Sequence, residues 1–196
     1  TRYSFFLLAV FILPLCFNID FILSLWLKEI PAYTNIFVIL FLANVLAESY
    51  STYLITVLLA TGKIAFYQAS VGTILLLNVP LSYLAFQWGY PPVSFLVVSI
   101  ILTFAASALR LFLLKKRFSF SITLFLRSVF LKTLLTILLV SALNFMLLNL
   151  RSLLPYGNIL VLLFSCLISM GGIYILGLNS EERRIVIVQA KKYLHR

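Results

Sequence analysis

The sequence has little charge: 10% of its 196 residues are Asp, Glu, Lys or Arg, and only five are acidic. Against that stand 63% hydrophobic residues, including eighteen Phe and ten Tyr, and a mean hydropathy of +1.14. A soluble domain is roughly 45–50% apolar and about 25% charged, so a water-soluble globule is excluded. Histidine is nearly absent too, with His195 alone near the end of the chain, and there are two cysteines, Cys16 and Cys166. Without a CxxC pair or a His cluster, neither a metal site nor a disulfide framework is expected. Both cysteines fall within apolar runs and read as small buried hydrophobes. No Walker A loop, HExxH or GxSxG occurs, and the connectors are short. A membrane enzyme and a cofactor are therefore not expected.

The net charge of +10 raises the question of nucleic acid, because basic patches track phosphates. Here the basic residues cluster beside apolar runs, where positive charge sets membrane orientation. No nucleic-acid partner is expected; membrane lipids are.

About 20 mostly apolar residues span a bilayer as a helix. Six segments meet that length: Tyr3–Leu27, Thr34–Ala60, Ile64–Gln87, Val93–Leu114, Ser121–Leu148 and Asn158–Leu178. They are continuous rather than alternating, so the expectation is an all-α, polytopic bundle of six transmembrane helices over residues 1–178. Residues 179–196, "NSEERRIVIVQAKKYLHR", read instead as an amphipathic helix on the cytoplasmic surface. Arg2, Lys63, Arg110, Lys115, Lys116, Arg117 and the tail cations fall on one side, with Arg127 and Lys132 close to it. Lys28 and Arg151 alone fall on the other. By the positive-inside rule both ends are cytoplasmic. The chain opens "TRYSFFLLAV" without Met, and the expectation is a piece of a longer protein.

The polar residues inside the spans are the candidates for function. In "LANVLAESYSTYLITVLLATGK", Asn44, Glu48, Ser51 and Thr52 share an arc of about 100° at helical spacing. Ser49, Tyr53 and Thr56 widen that sector. An intramembrane carboxylate marks an ion or substrate pathway, or is paired with a partner. Glu48 thus either carries a coupling proton or is protonated and hydrogen-bonded as structural glue. Asp20, near Asn18 and the kinking Pro14, either lines an outward vestibule or reaches interfacial water. Arg110, Arg127 and Lys132 are candidates for meeting an anionic headgroup, with snorkelling to the surface as the other reading.

Several stretches in order carry a resemblance: "LPLCFNIDFILSLWLKEIPAYTN", "LLATGKIAFYQ", "LLLNVPLSYLAFQWGYPP" and "LNSEERR". Ala60-Thr61-Gly62-Lys63 precedes the pair Tyr67-Gln68, followed by Leu77 to Pro80 and a turn at Gly89. This order resembles the C-terminal half of bacterial polysaccharide flippases of the multidrug/oligosaccharidyl-lipid/polysaccharide exporter superfamily, the MATE-like fold. The resemblance implies the last six of about fourteen helices, a missing N-terminal lobe as partner, and an inner-membrane location. It also implies export of a lipid-linked oligosaccharide for surface polysaccharide assembly by alternating access. A drug/cation antiporter of the same fold and a non-transport membrane subunit remain the alternatives.

Overall fold

The computed structural model describes residues 2–60, 64–118, 123, 126–149 and 157–178. Expectations for the Gly62–Lys63 connector, Arg151, Pro155 and the tail with His195 lie outside those residues. The described residues are helical apart from short turns, bends and irregular connectors such as 27–33 and 88–93. The helices are α1 (Arg2–Phe17), α2 (Ile19–Ser24), α3 (Thr34–Ser49), α4 (Ser51–Leu59), α5 (Ile64–Leu76), α6 (Asn78–Gln87) and α7 (Ser94–Phe118). A π-helical turn, Leu126–Phe130, leads into α8 (Leu131–Leu148); α9 (Gly157–Gly172) runs out into a second π turn, Ile173–Gly177.

Four stretches are long and apolar enough to cross a membrane: Tyr67–Gln87, Ser94–Lys115, Leu131–Leu148 and Gly157–Gly177. The chain is a multi-pass membrane protein. Its outer surface is that of a lipid-facing bundle, with Leu76 72% exposed and Phe145 62% exposed. The first two expected spans appear as broken rods, Tyr3–Phe17 and Thr34–Ser49 being the unbroken apolar parts.

Each break has a local cause. Pro80 has no N–H for the carbonyl of Leu76 and its ring crowds that carbonyl; α5 accordingly ends at Leu76 and α6 restarts at Asn78. In the first rod, Pro14 lies inside α1, and the amide Nδ2 of Asn18 donates to the Pro14 carbonyl at 3.0 Å just where α1 gives way to α2. In the second, Ser49 Oγ donates to Leu46 O at 2.7 Å, and such back-bonding bends helices. Tyr50 then separates α3 from α4.

Two apolar cores hold the bundle. One gathers Phe5, Phe6, Ala9 and Leu13 of α1 with Tyr50, Val140 and Ile173. The other joins Leu54 and Leu58 of α4 to Tyr67, Val71, Ala106 and Leu114. The α3–α4 rod touches both, packing on α1 and on α7. The α8–α9 contact is close because Gly172 sits there: a Cβ would come 2.7 Å from Val140 Cγ2. Small residues at such crossings let helices approach.

Gly172→Ala should therefore destabilise the detergent-solubilised protein by about 1–3 kcal/mol, the usual range for overpacking. Adding Val140→Ala should recover most of that loss. Thermal unfolding of the single and double variants measures it.

Candidate functional site

The polar sector of the second rod meets α7 along a seam of hydrogen bonds. Ser99, Thr103 and Ser107 recur every fourth residue, so they stack along one face of α7. Asn44 lies opposite the first two: its Nδ2 donates to Ser99 Oγ at 3.1 Å, and Thr103 Oγ1 donates to its Oδ1 at 2.9 Å. Ser107 spends its proton on the Thr103 carbonyl at 2.8 Å. The 2.5 Å contact between Ser51 and Ser107 then has Ser51 as donor. Thr103 and Ser51 are buried. Oil supplies no partners for such groups, so they must find each other.

Glu48 and Thr52 lie a little further round the same rod and point elsewhere; both are exposed, with Phe41 and Leu59 on the same face. The sector that looks continuous in the sequence is thus divided. Asn44 and Ser51 fasten the rod to α7, while Glu48 and Thr52 stand on its open face. Thr56 is on the open face too, with its hydroxyl turned to the Thr52 carbonyl at 3.1 Å. Ser49 is buried. The backbone of Tyr53 belongs to α4, and its side chain lies outside the described residues.

Asp20 is exposed and accepts a hydrogen bond from Asn35 Nδ2, linking α2 to α3. Nearby acceptors Asn18 Oδ1 and Asn35 Oδ1 are buried without a partner among the described residues. The three candidate cations sit in different settings. Arg110 is buried, 5% exposed, and its Nε donates to Tyr67 OH at 3.2 Å, tying α7 to α5. The described carboxylates, Asp20, Glu29 and Glu48, are all exposed, so none is buried beside it. Arg127, on the first π turn, is exposed, and Lys132 is half-buried. Among the described residues, no His, Cys, Asp or Glu groups cluster as metal ligands.

Two polar junctions escape the sequence reading. Asn144 is fully buried between α8 and α9: its Nδ2 donates to Val140 O at 2.9 Å and Ser169 Oγ at 3.2 Å, and Ser165 donates to its Oδ1. The signal was available, since Ser165, Ser169 and Gly172 form a small, polar stripe at helical spacing. The other is Tyr50. Thr133 Oγ1 donates to Val129 O at 2.7 Å and Phe130 O at 2.9 Å, so Tyr50 OH is the donor in their mutual bond. The Tyr50 ring packs 4.3 Å from Phe5 and 5.5 Å from Phe130, centroid to centroid. It closes the rod break against α1 and α8.

The division of the sector is measurable as stability. Asn44→Ala with Thr103→Ala should show a coupling of about 0.6 kcal/mol, and at most about 1.7, the range for hydrogen bonds between membrane helices. Glu48→Gln should shift unfolding by less than about 0.5 kcal/mol, as an exposed site does. A double-mutant cycle followed by thermal unfolding in detergent measures both.

Comparison with known proteins adds no relative: no family model, curated protein or solved structure matches this chain.

Proposed function

We propose that this chain is the C-terminal half of a transporter that flips a lipid-linked oligosaccharide across the bacterial inner membrane. The observation that carries the reading is the exposed carboxylate of Glu48 on the α3–α4 rod, beside the apolar Phe41 and Leu59. A carboxylate facing hydrocarbon is costly, and such residues face a bundle interior or a water-filled cavity. Glu48 and Thr52 then look into a hydrated space, closed on its far side by a second lobe. Sites of this kind lie where two helical bundles meet, near the bilayer midplane.

In this reading the two broken rods also cross the membrane, giving six spans in a MATE-like arrangement with both ends cytoplasmic. The α3–α4 rod with Tyr50 is about 39 Å long at about 1.5 Å per residue, enough for a core of about 30 Å. Sugars occupy the hydrated space while the lipid tail stays in the bilayer, and the bundles rock between inward- and outward-open states. Of the three candidate cations, Arg127 is the exposed one and is available to an anionic diphosphate; Arg110, committed to Tyr67 inside the bundle, positions α5 against α7. Glu48 carries the coupling proton. A drug/cation antiporter would use the same carboxylate, and cargo separates the two.

Complementation with the full-length gene in a cell lacking its own flippase tests the proposal. Surface polysaccharide should return with the wild-type gene. Glu48→Gln should abolish most of that transport while membrane insertion stays normal. Unchanged export by Glu48→Gln would remove it from the mechanism, and drug resistance without polysaccharide would favour the antiporter.

A further inference from the structure

One cavity among the described residues lies away from Glu48. It is a groove of about 570 Å³ between α1 and the end of α9, with Leu7 and Val10 on one wall, Leu167 and Gly171 on the other, and Tyr3 and Leu178 at its mouth. Its outer rims are open: Leu7 is 67% exposed and Leu167 65%. Among the described residues a Cβ on Gly171 would meet no atom within 4 Å, so the groove has open space at that wall.

We propose that this groove holds an acyl chain of an acidic phospholipid. Its length fits one leaflet. From Leu167 to Leu178 the helix rises about 16 Å at about 1.5 Å per residue, half of a hydrocarbon core of about 30 Å. Its walls are almost entirely hydrocarbon, with the hydroxyls of Tyr3 and Tyr174 as the exceptions, so a headgroup must sit at the mouth. That mouth lies at the basic end of the bundle. Gly177 meets the Phe6 ring there, and the neighbouring core includes Phe5, Tyr50 and Phe130. Phe130 closes the π turn that bears the exposed Arg127, and Lys132 follows it in α8. In sequence, Arg2 directly precedes Tyr3. Basic residues beside membrane helices attract anionic headgroups. The inference rests on the bilayer-spanning bundle and not on the cargo.

Native mass spectrometry of the full chain, titrated in mild detergent with phosphatidylglycerol or phosphatidylcholine, tests it. The wild-type chain should retain one phosphatidylglycerol in preference to phosphatidylcholine. Gly171→Phe, which fills the groove, should weaken that binding roughly tenfold. Gly72→Phe, placed on α5 where a Cβ also meets nothing within 4 Å, should leave it unchanged. Leu7→Trp, on the opposite wall, provides the same readout if Gly171→Phe fails to fold. Equal retention of both lipids, equal binding by Gly171→Phe and Gly72→Phe, or a lipid-free dimer would each overturn the proposal. Lipid binding is read without transport, so its failure is distinct from a failure of the flippase reading.

Discussion

The hydrogen bonds between the α3–α4 rod and α7 are the contact on which the rest of the bundle depends. Asn44, Ser51, Ser99, Thr103 and Ser107 would each be a liability in hydrocarbon; paired across one helix crossing they become a register lock. Hydrophobic burial cannot supply that lock, because lipid tails are as apolar as the side chains they would replace. With the seam fixed, the rotation of the rod is fixed, and with it the face that Glu48 presents. The same logic recurs at Asn144 between α8 and α9, and at Tyr50 where the rod breaks.

Irregular backbone is concentrated at one level. The Tyr50 break and both π turns adjoin the Phe5, Phe6 and Ile173 core, and π turns often mark functional sites. Thr133 spends its hydroxyl proton on the carbonyls of Val129 and Phe130, where π winding passes into α8. The aromatic packing around Tyr50 therefore joins the rod break and the first π turn to the regular first turns of α1. In a transporter that rocks, that level is a natural pivot, and Glu48 lies two residues from it.

Much of the architecture was legible from composition and run length. Three of the four long spans match expected segments to within three residues, and the fourth, Leu131–Leu148, begins ten residues later than expected; continuous apolar runs leave helices as the available solution in lipid. The break at Leu77 was written in Pro80. The break at Tyr50 was less visible, since it comes from Ser49 turning its hydroxyl onto the Leu46 carbonyl rather than from a proline. Helical periodicity grouped Asn44 with Glu48, because a rotation of 100° per residue gives an arc and not the direction a neighbour approaches from. Only the position of α7 decides that Asn44 is inside and Glu48 outside. Arg110 shows the same gap: its charge suggested a surface role, and its partner Tyr67 lies distant in sequence.

One rod turns Ser51 into the protein and leaves Glu48 exposed, and the proposal is that Glu48 faces water there. Cysteine accessibility in a background lacking Cys16 and Cys166 tests it most directly. With the full-length protein in native membranes, Glu48→Cys should react with a membrane-impermeant thiol reagent applied from at least one side, while Ser51→Cys should stay protected. A protected Glu48→Cys beside a reactive Ser51→Cys would contradict the account.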